Sequence, residues 1–146
     1  MDEPTRAYLE ELDAPAPVRE RVAALLRNYH NLGVHEFQSF VSETVGDDGT
    51  RQFESLWLFN RTSVMEAALR EDESAELDGV RLDRALTRWA VKVRSFDLET
   101  WQPETRMSVD LWFSDEILGQ LSASGANCLR LVTLLREYVV PITNAP

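Results

Sequence analysis

A chain of 146 residues with 44% hydrophobic content is the size of one domain, 1–146, and can bury a core without a disulfide or metal staple. Its formal net charge of −10 surrounds it with a field that repels phosphates, which argues against binding nucleic acid or an anionic membrane surface. A single cysteine, Cys128, excludes an internal disulfide and leaves no thiol pair for metal or redox chemistry.

Lys92 is the only lysine among 15 cationic residues; the others are arginines, which form bidentate pairs with carboxylates. Met1 is followed by acidic residues and not by a basic, apolar leader, and no run approaches the length of a membrane span, so a cytoplasmic location is expected.

In chain order, residues 1–13 read as a short acidic helix opening at Pro4 and broken by Pro15 and Pro17. A second helix follows from about Pro17, with Val18, Val22, Leu25, Leu26 and Tyr29 on one face and Gly33 as its stop. The pattern then changes to strands. Residues 34–44 are extended, GDDG at 46–49 is a hairpin turn, and 51–60 is the next strand. The run Leu56–Phe59 is apolar at every position and implies a strand covered on both faces. Residues 62–70 fit a strand or a short helix equally. Residues 71–79 are an acidic loop, with a short strand near 79–83.

Residues 88–96 alternate, with Trp89, Val91 and Val93 on one face and Arg88, Lys92 and Arg94 on the other. In the hairpin that follows, Met107, Val109, Leu111 and Phe113 point inward, continued by Ile117, Leu121 and Ala123 after a turn at Ser114–Asp115. Gly119 shares that inner face and marks a close approach, expected from the final helix. That helix is expected to begin at an N-cap Ser124, bury Cys128, Leu131, Val132, Leu135 and Val139, and end at Pro141.

Two helices, a meander of six or seven strands and one closing helix make an α+β chain. The segment VDLWFSDEILGQLSASGANCLRLVTLLREY at 109–138, with the strand RWAVKVRSFD at 88–97, resembles the small bacterial pleckstrin-homology-like (PH-like) domains. The resemblance is best over 105–139 and looser over 34–140, with residues 1–33 as a helical segment outside it. It implies an antiparallel curved sheet or PH-like barrel plugged by the C-terminal helix. Lipid-binding relatives hold phosphoinositide with basic residues around the first strand–strand loop. The matching turn here is GDDGT, with Asp47 and Asp48, so phosphoinositide is not expected.

No chemistry-bearing motif stands out. His30 and His35 are five apart, which does not place two ligands on one helical face, and no third ligand is marked. The acids Asp47, Asp48, Asp72, Glu73 and Asp97 fall mostly in loops. Cys128 lies on a buried stripe, where a thiol is inert. The sequence therefore implies no catalytic residue, metal or cofactor, and no enzyme. The basic row Arg81, Arg84, Arg88, Lys92 and Arg94 is expected to pair across strands with Asp110, or else to receive an acidic group.

Trp101, in a polar loop, and Trp112, on the outer face of the hairpin, are candidate interface anchors, together with Arg88, Lys92 and Arg94. Cover of Trp112 by the helix at 17–30 is the more ordinary expectation. The function expected is a cytoplasmic protein-interaction module or small regulatory subunit, its partner a protein or a second copy of this chain. Rival expectations are an acidic secretion-chaperone-like dimer and a small-ligand-binding α+β protein with a cavity between sheet and helix.

Overall fold

The computed structural model of the chain describes residues 2–33, 36–69, 78–80, 86–94, 105–113 and 117–143. Helix α1 (Glu3–Glu11) is capped by Asp2, whose Oδ1 accepts from the Thr5 N–H at 2.8 Å. Helix α2 (Ala16–Asn31) carries Pro17 in its first turn and runs out at Leu32, before Gly33 at φ +93°. Among the described residues, no helix is long and apolar enough to cross a membrane.

Seven strands follow among the described residues: β1 (Gln38–Val45), β2 (Arg51–Phe59), β3 (Val64–Ala68), β4 (Asp78–Val80), β5 (Leu86–Arg94), β6 (Arg106–Phe113) and β7 (Ile117–Ser124). Residues 64–68 are thus a strand, which settles the open choice over 62–70. Among the described residues the strands pair antiparallel, in two sheets and not in the one curved sheet expected. They divide into sheet A, in the order β1-β2-β3-β4, and sheet B, in the order β5-β6-β7. The last helical segment is α3 (Asn127–Leu134), a π-helical turn over Leu135–Val139, and α4 (Val140–Thr143).

Sheet A lies between two cores, and the four-residue run on β2 shows how. Leu56 and Leu58 pack with Tyr8, Leu9, Val22, Leu25 and Tyr29 of the N-terminal helices. Trp57 and Phe59, between and after them, pack with Val109, Leu111, Leu121, Leu131 and Val139 of sheet B and the C-terminal helix. Successive side chains of a strand point to opposite faces, so a strand with a core on each side needs an apolar residue at every position. Among the described residues, sheet B packs one face on a core. On β6 the buried residues Met107, Val109, Leu111 and Phe113 alternate with half-buried Arg106, Ser108, Asp110 and Trp112.

Several local expectations are corrected. A Cβ on Gly119 would stand 2.6 Å from the tip of the Trp57 indole, so the close approach is by a side chain of sheet A and not by the final helix. The indole is held where it is by its core packing and by Nε1 donating to Ser55 Oγ at 3.0 Å. Ser124 is the last residue of β7 and caps nothing; α3 begins at Asn127 without a side-chain cap. Pro141 does not end the helix, which continues to Thr143. The preceding π turn, in which the Val140 N–H bonds to the Leu135 carbonyl, widens the backbone where the proline ring would otherwise strike the carbonyl one turn back. Leu134 is fully buried, and Val132, expected on the stripe, is half-buried against the core. Val91, on the apolar face of β5, is 36% exposed, because β5 is the outer strand of its sheet.

Candidate functional site

Two neighbouring regions hold the polar groups that the fold brings together. The first is the meeting of β1 and β7, the facing edges of the two sheets. A strand edge presents unpaired N–H and C=O groups, and here side chains take them up. The Arg130 Nε donates to the Ser39 carbonyl at 2.7 Å. The Val41 N–H donates to the Tyr8 hydroxyl at 3.0 Å, and the Val41 carbonyl accepts from Asn127 Nδ2 at 3.1 Å. Tyr8 in turn donates to Asn127 Oδ1 at 2.7 Å. From β7, the Ser122 N–H donates to Ser42 Oγ at 2.9 Å and the Ser124 N–H to Glu43 Oε1 at 3.1 Å.

Glu43 is the centre of this seam. A register shift between Ser42 and Glu43 re-aims its carboxylate toward β7. Its side chain is wholly buried, yet both oxygens are satisfied. Oε1 accepts from the Ser124 N–H and hydroxyl, and Oε2 from Arg51 Nη2 and Nε, the latter at 3.2 Å. Arg51 uses its remaining Nη1 on the Leu12 carbonyl at 2.8 Å, which ties the end of α1 into the same network. The Arg130 guanidinium lies 3.7 Å from the Tyr8 ring centre. Burial pushes the Tyr8 hydroxyl well above its ordinary value, so it stays protonated and can donate.

The second region is the outer face of sheet B. Arg88 lies directly across from Trp112, with its guanidinium 4.0 Å from the indole centre. Lys92 is exposed and lies across from Ser108, four residues further along β5. Between them Ala90 faces Asp110, whose carboxylate accepts from Gln120 Nε2 at 3.1 Å. Asp110 therefore sits diagonal to both cations and is not directly opposite either. Beside Lys92 opens a groove of about 350 Å³ lined by Arg106, Ser108, Ser122, Thr44 and Glu43.

Of the five residues proposed from sequence as contacts, Arg88, Lys92 and Trp112 share this face. Arg94 is placed across from Arg106 by its backbone, with its side chain outside the described residues. Trp101, Arg81, Arg84, His35, Asp72, Glu73 and Asp97 also lie outside them. The expected cover of Trp112 by α2 is not found, since α2 packs on Val41, Leu56, Leu58 and Ala67 of sheet A.

His30 is exposed near the end of α2, and Asp47 and Asp48 lie in the β1–β2 turn. The Thr50 N–H donates to Asp48 at 3.0 Å and holds that carboxyl below its ordinary value. Cys128 is buried in the core and its thiol is pushed up to about 11 by burial, with the Glu43 charge adding to the shift, which fits an unreactive thiol. Among the described residues, no three His, Cys, Asp or Glu side chains gather as a metal site.

Sequence reasoning missed the Glu43–Arg51 pair and the Tyr8–Asn127–Arg130 clasp. The available signal was SFVSE at 39–43, a strand whose small polar residues break the alternation, but nothing local says what such residues would meet. These features define the class as a two-sheet antiparallel α+β protein with an N-terminal helical layer and a closing C-terminal helix. No family model, curated protein or solved structure matches the chain.

Proposed function

We propose that this chain is a non-enzymatic protein-interaction module or small regulatory subunit working in the cytoplasm, with the outer face of sheet B as its contact surface. One observation carries this reading. The helices α1 and α2 pack on sheet A, whereas the outer face of β5–β7 presents Arg88 stacked on Trp112 together with exposed Lys92. Tryptophan and arginine are the residue types enriched at the centres of interfaces, and a preformed stack loses little side-chain freedom on binding. The order of helices, seven antiparallel strands and a closing helix supports the PH-like resemblance and, with it, a domain that presents surfaces. The acidic GDDGT turn keeps phosphoinositide outside this proposal.

The test is capture of partners by the tagged protein beside a Trp101→Ala/Trp112→Ala variant whose circular dichroism and melting show it folded. A partner held by the wild type and lost by the folded variant supports the surface. An identical set of captured proteins from both would remove it.

A cleft of about 350 Å³ between α1 and α3, lined by Tyr8, Leu12, Asn127, Leu129 and Arg130, favours the small-ligand alternative. The polar atoms of Tyr8 and Asn127 there are already engaged with each other and with Val41. The space between sheet B and α3 is filled by Val109, Leu121, Cys128 and Leu131. The outer face of sheet B is the better supported site.

A further inference from the structure

Resting on that interaction reading, we propose that the outer face of sheet B receives an extended, acidic segment of a partner protein whose carboxylates stand four residues apart. The whole chain carries −10, so a strip of exposed cations on it is a departure from the surrounding field. Arg88 and Lys92 make that strip on β5, both exposed and both on the outer face. Half-buried Arg106, whose Nη1 donates to the Thr105 carbonyl at 2.9 Å, also lines the groove beside Lys92. The one carboxylate in that groove, Glu43, is wholly buried and matched by Arg51, so it cancels little of the charge presented outward.

Spacing comes next. Arg88 and Lys92 are four residues apart on a strand, about 13 Å at roughly 3.3 Å per residue. A segment lying extended along β5 repeats at the same rise. Its side chains at positions i and i+4 therefore point to the same face and fall over the two cations. Position i+2 falls over Ala90, where Asp110 stands across the ladder. A carboxylate at i+2 would meet a like charge, and a small neutral residue would fit over the alanine. The face thus selects for acid, neutral, acid at alternate positions and rejects an unbroken acidic run. At each end the receiving group offers more than charge. The Arg88 guanidinium sits over the Trp112 ring, 4.0 Å from its centre, which narrows the positions its donors can take. Lys92 has the hydroxyls of Ser108, Ser122 and Thr44 around the same groove.

The experiment is a titration of the isotopically labelled full chain, followed by amide and indole N–H shifts at low ionic strength. The probes are synthetic peptides of Ser, Thr and Val carrying two glutamates four apart, two glutamates two apart, or two lysines four apart. The four-apart glutamate peptide is expected to shift β5, β6 and the Trp112 indole, and to bind about five-fold more tightly than the two-apart peptide, the value of one exposed ion pair. The lysine peptide is expected to leave those signals in place. Lys92→Glu, an exposed change that leaves the core untouched, should weaken binding about five-fold or more, and Asp110→Asn should narrow the gap between the two glutamate spacings by removing the like charge at i+2.

Equal shifts from the lysine and glutamate peptides, or none from any peptide, would overturn the proposal. So would a salt-sensitive dimer of the protein alone that Lys92→Glu abolishes, which would give the face to a second copy. The interaction reading is tested separately. Capture of a partner that depends on Trp112 while every peptide fails would keep the module and reject the acidic segment.

Discussion

Sheets A and B are built from similar strands, yet one is inside the protein and the other is half outside. Sheet A is covered by the N-terminal helices on one face and by the second core on the other, and its β1 edge is closed by side chains. Sheet B meets a core through Met107, Val109, Leu111, Phe113, Leu121 and Ala123, with half-buried Trp89 packed beside them, and on β6 its polar residues alternate with these. A sheet that must satisfy every neighbour has no groups left for a partner. A sheet with one wet face can hold charge and an aromatic ring at modest cost, because water still solvates them. The division follows: sheet A lies between two cores, and sheet B keeps Arg88 and Lys92 exposed to solvent.

Substitutions that cross this division should separate the two roles. The largest effect is expected from Glu43→Ala. It leaves the Ser124 N–H and hydroxyl without their acceptor and strips Arg51 of its counter-ion. Removing one partner of a buried pair costs about 3–5 kcal/mol, and the partial exposure of Arg51 puts this case near about 3 kcal/mol. Urea unfolding checks it, and a loss below 1 kcal/mol would mean that the seam does not hold the two sheets.

Gly119→Val comes next. The new side chain would overlap the Trp57 indole, and overpacking of this kind costs about 1–3 kcal/mol. Combining it with Trp57→Leu should recover part of the loss. A double variant no better than the sum of the singles would show that the two residues do not meet.

Tyr8→Phe removes only the hydroxyl between Val41 and Asn127. Leaving a buried N–H and a buried amide oxygen short of a partner costs about 1–3 kcal/mol. Faster hydrogen exchange at the Val41 amide is the specific readout, and unchanged exchange there would count against the clasp.

The pH dependence is expected to be alkaline. In the folded chain the Cys128 thiol is raised from about 9 to about 11, so between those values the folded state holds a proton that the unfolded state has lost. Stability therefore falls as pH rises through that window, by on the order of 1 kcal/mol. Tyr8, shifted in the same direction, adds to the fall at higher pH. Cys128→Ala should flatten the decline between pH 9 and 11, and an identical slope in the variant would place its origin elsewhere.

Smallest of all should be Asp110→Ala on the wet face, within about 0.5 kcal/mol of the wild type. A large loss there would mean that this face is structural.

Much of the division between the sheets was legible in the residues themselves. The unbroken run at 56–59 announced a strand covered on both sides, and the alternation at 106–113 announced one covered face, because a strand's side chains repeat every two residues whatever surrounds it. The helical faces of 16–31 and 127–139 and the GDDG turn followed from equally local rules. What lay beyond reach was every pairing between distant segments. Glu43 meets Arg51 across a hairpin and Ser124 across 81 residues of chain, and Tyr8 reaches Asn127 across 119. Gly119 is glycine because of Trp57, a residue of the other sheet. Ser124 looked like a helix cap because a hydroxyl before an apolar stripe usually is one, and only the arrival of Glu43 gave it another acceptor. Periodicity is a property of the backbone and travels with the chain. The partner of a buried polar group depends on which surfaces the hydrophobic cores press together, and that is decided only when the layers close.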